Sequence, residues 1–203
     1  MVIIIDCGHS EQTVGKFSPI REDGTRFYEY ENNRIIGRLL SMELDKLNIP
    51  YVYTIHPDDR NDKSLENRVG IANSIAYKEG KDNVLFLSLH SDAYGMGDKW
   101  YDDIVGFSIF TSKGTTKSDK YAEVFEKNYR EGLLKDYPDT KVRGEYDKDF
   151  YVVAKTVCPA ILLENGFYTS HKDLEIIDSD EGRKKIVDII VKSIQEIIKG
   201  ANQ

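Results

Sequence analysis

The chain has 203 residues, 40% of them apolar and 31% charged, and its 28 Lys+Arg against 35 Asp+Glu leave a net charge of −7. That balance suits one folded domain with an ample core and argues against a general nucleic-acid binder, whose surface is basic. No run approaches the roughly 18 apolar residues that span a membrane, and two cysteines without a C-x-x-C partner, Cys7 and Cys158, do not form a disulfide framework.

In chain order, Val2–Asp6 reads as a buried strand rather than the core of a signal peptide, because no charged leader precedes it. Ser10–Phe27 is polar and reads as a loop. Ile35, Ile36, Leu39, Leu40, Leu44 and Leu47 recur at helical spacing, predicting a helix over Glu29–Leu47 that Asn48 and Pro50 end. Tyr51–Thr54 is a short strand, and His56–Lys63 a turn-like segment. Ser64 opens a second helix, from Leu65 to about Tyr77. Val84–Leu89 is the next strand, and Ser91–Asp103 a loop with glycines, Trp100 and the acids Asp92, Asp98, Asp102 and Asp103. Ile104–Phe110 reads as a strand, Ser118–Leu134 as a helix, and Phe150–Ala154 and Ala160–Leu163 as two more strands. From Asp173 onward the chain is helical, with Ile186, Ile189, Ile190, Ile194 and Ile197 as a docking stripe. Strands alternating with helices predict an α/β fold: a single domain over residues 1–203, with a mostly parallel twisted sheet of about six strands flanked by helices. Both cysteines lie beside strand ends and read as small buried residues.

In open α/β sheets, sites form outside the carboxyl ends of the strands. Val2–Asp6 leads to His9, Val84–Leu89 to His90, and Ala160–Leu163 to Glu164. Parallel, adjacent strands would bring these three to one edge. His90, at the centre of "SLHSDA", taken alone reads as a hydrogen-bonded strand end. Two histidines and a carboxylate make a catalytic zinc set, with one position left for water. The imidazoles must be neutral and the carboxylate ionised, so that each offers a lone pair. A further carboxylate off the metal can take a proton from the water. Glu29, Glu31 and Glu164 are the carboxylate candidates, and spacing alone does not rank them.

The motifs resemble, in order and across nearly the whole chain, the zinc-dependent N-acetylmuramoyl-L-alanine amidases of type three. "IIIDCGHS" resembles the family's opening strand and first metal histidine, which implies His9. "EYENN" resembles its Glu-x-x-x-Asn, which implies Glu29 as ligand and Asn33 as its supporting residue, with Glu31 off the pattern. "NRVGIAN" (Arg68, Ala72, Asn73) resembles a family helix. "FLSLHSDA" resembles the segment of the second metal histidine, His90. "VRG" followed by "DFYVV" resembles the stretch before the penultimate strand. "PAILLENGFYTSHKD" resembles the segment of the catalytic glutamate, Glu164, with Gly166, Phe167 and Asp173 in place. The resemblance implies one zinc ion, peptidoglycan as substrate, and cleavage of the amide between N-acetylmuramic acid and L-alanine. Rival readings are another zinc amide hydrolase acting on a wall peptide bond, and a silent peptidoglycan-binding module. The chain departs from the family at Cys7 (usually proline), Ser10 (often glycine) and Asp92 (usually asparagine).

The remaining residues divide between chemistry and scaffold. Asp6 either orients His9 or caps a turn, and Arg143 binds either a substrate carboxylate or a buried acid. Tyr94, Trp100 and Tyr101 form a substrate platform or pack their own loop. His56 and His171 read as surface residues, and Asp98–Asp103 as a solvated rim. No separate wall-binding domain and no membrane segment are expected. The resulting picture is a phage endolysin, made in the cytoplasm and released to the wall through a holin lesion, or a bacterial wall enzyme. The oligomeric state is not legible in the sequence.

Overall fold

The computed structural model describes residues 1–59, 61–145 and 148–201. The chain runs β1 (Val2–Cys7), α1 (Glu29–Lys46), β2 (Tyr51–Ile55), α2 (Leu65–Glu79), β3 (Val84–Asp92), β4 (Phe107–Phe110), α3 (Lys117–Leu133), β5 (Val142–Glu145), α4 (Tyr151–Ala154), β6 (Ala160–Phe167), α5 (His171–Ile177) and α6 (Asp180–Ala201). The strands form one six-stranded sheet in the order β2-β1-β3-β6-β4-β5. Every pairing is parallel except β4 with β6, as expected for an α/β domain. Among the described residues no helix is long and apolar enough to cross a membrane.

β1 and β3 carry unbroken apolar runs because both faces of each are covered. Ile3, Ile5, Leu87, Leu89, Ile161 and Leu163 point to one face, where α1, α3 and α6 pack with their own apolar stripes. Ile4, Val84, Phe86, Ala160 and Leu162 point to the other, against α2 and α4. The first face is roofed by three long helices. The second is roofed by α2 and one helical turn, and it stays open toward the carboxyl ends of β1, β3 and β6.

Local chemistry sets the boundaries. α1 ends where Asn48 adopts a left-handed backbone (φ 53) ahead of Pro50. The Ser64 side chain accepts from the Asn67 amide at the start of α2, and Thr116 with Asp119 forms a capping box on α3.

Several expectations need correction. Phe150–Ala154, read as a strand, is the short helix α4, in which the Ala154 and Lys155 amides donate to the Phe150 and Tyr151 carbonyls. A four-residue apolar run carries no usable period; here Val152 and Val153 are buried as one turn against Leu162 and Phe110. β5 carries no strand signal in the sequence, since VRGE is polar and lies at the sheet edge beside β4. β4 starts only at Phe107, because Gly106 (φ 138) turns its amide to the Asp173 carboxylate. β3 and β6 run on past their expected ends, to Asp92 and Phe167. The C-terminal helix begins at His171 and is broken between α5 and α6. A Cβ at Gly182 would lie 2.0 Å from the Ile176 carbonyl oxygen, so this junction requires glycine. Cys7 and Cys158 are buried free thiols.

Candidate active site

β1 delivers His9 through a constrained turn. The Gly8 amide donates to the Leu89 carbonyl (2.9 Å), and His9 then takes a left-handed backbone with φ 62. Such a conformation in a non-glycine residue has to be held by its surroundings. Two consecutive residues of α1 hold it. The Asn33 side-chain amide donates to the Gly8 carbonyl (3.1 Å), and the Arg34 guanidinium to the His9 carbonyl (3.2 Å). Gly8 is needed for another reason: a Cβ there would lie 2.2 Å from Cε1 of His90. The missing side chain is what lets the second histidine stand beside the first.

Glu29 is the first residue of α1, and its amide donates to the Lys16 carbonyl (3.0 Å). Its side chain is fully buried. Oε1 lies 3.0 Å from His90 Nδ1 and 3.3 Å from His9 Nε2, and it accepts from the Ser91 amide at 3.2 Å. The imidazole rings stand edge to face, 4.8 Å between centres. One donor atom from each of His9, Glu29 and His90 lies within 4.8 Å of the others. Burial alone would raise the Glu29 carboxyl, but hydrogen bonds from His9 and His90 outweigh it and hold the group ionised. Burial lowers His9, favouring its neutral form. A divalent cation requires these protonation states.

Glu164 stands next to His90 across the β3–β6 pair, in direct register. Beyond this point β6 advances from Glu164 to Phe167 while β3 advances from His90 to Asp92. The extra residue is a bulge, a device that re-aims side chains at sites. Gly166 (φ 77) supplies its left-handed residue. Asn165 pins it, donating to the His90 carbonyl (3.2 Å) and accepting from the Tyr129 hydroxyl (2.7 Å). Asp173 holds the far end, accepting from the Phe167 and Gly106 amides, each at 2.8 Å. Glu164 Oε2 is shut from solvent and lacks a hydrogen-bond partner. Burial, and then the charges of Glu29 and Asp92, raise the Glu164 carboxyl well above its ordinary value. Glu164 lies beside the cluster and is not one of the three converging donors. A groove of about 420 Å³ opens over the histidines, between the start of α2 (Ser64, Arg68) and Tyr151 of α4, with Leu162 in its floor.

The other predicted residues fall elsewhere. Glu31 is exposed and accepts from the Tyr30 hydroxyl (3.0 Å), away from the cluster. Asn33 supports the Gly8 backbone rather than Glu29. Asp6 neither orients His9 nor caps a turn; its oxygens accept from Thr54, Ser88 and Arg68. Asp92 borders the site: its side chain accepts from the Ala93 amide (2.7 Å) and its carbonyl from the Tyr168 amide (2.8 Å). Arg143 lies over the Phe167 ring, where its charge favours the ionised form of the buried acid Asp173. The loop aromatics pack locally, Tyr94 on Tyr101 and Trp100 on His171. Within the expected acidic rim, Asp102 accepts from the His171 amide at the start of α5. Lys16, Arg34 and the Ser91 amide escaped the sequence reading. Arg34, one residue after the Asn of "EYENN", was the nearest to a legible signal.

Comparison with known proteins bears on the family and the fold. A family model described as N-acetylmuramoyl-L-alanine amidase matches residues 3–196. The catalytic domain of CwlV, an N-acetylmuramoyl-L-alanine amidase from Bacillus (Paenibacillus) polymyxa var. colistinus, superposes with a TM-score of 0.79 at 21% identity, over 98% of each chain. The amidase AmiC2 of Nostoc punctiforme gives 0.79 at 23% identity, over 98% of this chain and 97% of that one. The catalytic domain of the CD27L endolysin, targeting Clostridia difficile, gives 0.67 at 19% identity, over 97% of each. At these identities the likeness concerns the fold. A curated relative, the uncharacterized protein YqiI of Bacillus subtilis (strain 168), is 38% identical over 55 residues, a stretch spanning 27% of either protein. The family match over residues 3–196, on the fold these structures share, makes this chain a member of the N-acetylmuramoyl-L-alanine amidase family.

Proposed function

We propose that the protein hydrolyses the amide between the lactyl group of N-acetylmuramic acid and the L-alanine of the peptidoglycan stem peptide, using one zinc ion held by His9, Glu29 and His90. One observation carries this: three donor atoms converge from three segments of chain, with Glu164 in register beside His90 but outside that set. The donor chemistry fits zinc, being two imidazoles and an ionised carboxylate whose buried Oε2 lacks a hydrogen-bond partner. When bound, zinc supplies a lowered pKa for water and polarises the scissile carbonyl.

The chain's own residues do the rest. Glu164 takes the water's proton at its carboxylate and later delivers it to the departing amine. Its raised proton affinity suits a group that must keep that proton until the C–N bond breaks. Asn165 and the bulge fix where that carboxylate points, and Gly8 fixes where His90 stands. The groove leaves room for a substrate strand across both histidines.

Digestion of purified peptidoglycan tests the reading. Free amino groups of L-alanine should appear without new reducing sugar, chelation should stop the reaction, and zinc should restore it. Full activity of metal-free protein removes the zinc; release at another peptide bond moves the substrate bond. For the biological setting we propose phage lysis, the endolysin role. The scaffold suits it, since the CD27L endolysin has the same fold. Co-expression with a holin inside a bacterial host should lyse cells that neither protein lyses alone. Failure there, with full activity on isolated wall, points to a bacterial wall enzyme.

A further inference from the structure

Among the described residues, Lys16 is a cation that reaches the Glu29 carboxylate and that the mechanism above does not use. Lys16 Nζ lies 3.7 Å from Glu29 Oε2, the oxygen turned away from both histidines and without a hydrogen bond. Its backbone is tied down: the Lys16 carbonyl accepts from the Glu29 amide, and Phe17 forms an antiparallel bridge with Tyr28. The side chain is 41% exposed, so a long flexible stem starts from a fixed point and ends where the cluster meets solvent. Its charge is felt at Glu164 and His9 as well as at Glu29.

We propose that Lys16 is a further catalytic residue, which yields Glu29 to the metal and turns to the oxyanion that forms at the scissile carbonyl. The inference rests on the amidase reading above. Lys16 and a divalent cation compete for the same carboxylate. With Glu29 committed to the cation, the ammonium loses its carboxylate partner, and its half-exposed stem is free to turn outward from the cluster. A cation there faces the negative charge that develops on the carbonyl oxygen and is absent from the ground state. An interaction of that kind raises kcat rather than lowering KM.

Two measurements on Lys16→Met and Lys16→Arg test this. In metal-free protein, chelator competition should show Lys16→Met binding zinc about fivefold more tightly, the upper end expected for a solvent-screened pair. With zinc bound, its kcat should fall about 10²-fold with little change in KM, as when one oxyanion donor is removed. Lys16→Arg keeps the charge and should hold both values close to wild type. Weaker zinc binding in Lys16→Met overturns the proposal, because Lys16 would then be supporting Glu29. Unchanged kcat overturns it too, and so does a raised KM at constant kcat, which would make the ammonium a ground-state carboxylate anchor. If wild-type protein cuts no muramoyl amide, the amidase reading fails on its own, and the zinc measurement still decides whether Lys16 competes for Glu29.

Discussion

Asp6 on one side and Glu29 with Glu164 on the other are carboxylates near the carboxyl ends of β1, β3 and β6, and they differ in what is left over. Asp6, on β1, is fully buried. Thr54 Oγ1 and Ser88 Oγ donate to its two oxygens, and Arg68 Nη1 reaches both at 3.3 Å. The remaining Arg68 donors go to Asp62 and the Lys63 carbonyl. Around the histidines, Glu29 Oε2 and Glu164 Oε2 have no hydrogen-bond partner. Buried polar atoms are normally satisfied, and an exception needs a reason. Asp6 is a knot between β1, β2, β3 and α2. Glu29 and Glu164 each keep one oxygen without a hydrogen bond, and the cation and proton roles proposed for them rest on that difference.

Glu164→Gln tests the reactive side of that contrast and has the largest expected effect. Turnover should fall by about 10²–10⁴-fold, the usual worth of a general acid–base group. Zinc content and melting temperature should stay near wild type, since no ligand and no hydrogen bond to Oε2 is lost. Loss of zinc from this variant would make Glu164 a ligand and dissolve the distinction between the two glutamates.

Asp6→Ala tests the other side. It leaves the Arg68 guanidinium buried without its main partner, which costs about 3–5 kcal/mol when a buried pair is broken. Urea unfolding should show that loss. A variant as stable as the parent would mean that the Asp6 cluster is not structural.

A smaller effect separates the two groups by pH. In metal-free protein the Glu164 carboxyl is raised above its ordinary 4.5 by burial and by the charges of Glu29 and Asp92. The folded state therefore holds this proton more tightly than the unfolded chain does, so ionisation works against the fold. That stabilisation is complete below pH 4.5 and is lost as pH rises through the raised value. Urea midpoints followed against pH should show this decline in wild type, and Glu164→Gln should flatten it. Parallel profiles would contradict the raised carboxyl.

Smallest of all is Glu31→Ala. An exposed residue bonded only to Tyr30 should change stability by no more than about 0.5 kcal/mol and leave zinc affinity unchanged. Glu29→Ala, two positions earlier, should abolish zinc binding. Isothermal titration of the pair checks both.

How much of this was legible depended on how local each signal was. β1 and β3 could be read because strands covered on both faces are apolar throughout. Their endings in His9 and His90 made a site at one sheet edge a natural expectation. The composition of α4 did not separate a turn of helix from a strand, and polar β5 gave no strand signal at all. Ranking Glu29 over Glu31 needed the family resemblance, because two carboxylates in one helical turn differ only in the face they occupy. Asp6 was misread because its partners, Thr54, Arg68 and Ser88, come from three separate segments. Lys16 reaches Glu29 only after the intervening chain has folded back, which spacing cannot express.

That folded-back segment has a consequence for how the chain is ordered. His9 and Glu29 bracket residues 10–28, which fold back on themselves: the Ser18 amide donates to the Phe27 carbonyl, the Phe27 amide to Ser18 Oγ, and Phe17 bridges Tyr28. An ion gripped by both brackets closes this stretch into a ring, in the manner of a cross-link. Loop closure removes configurations from the unfolded ensemble. On the zinc reading proposed above, the ion would fasten the chain as well as serve the reaction, and its departure would loosen the same ring that carries Lys16.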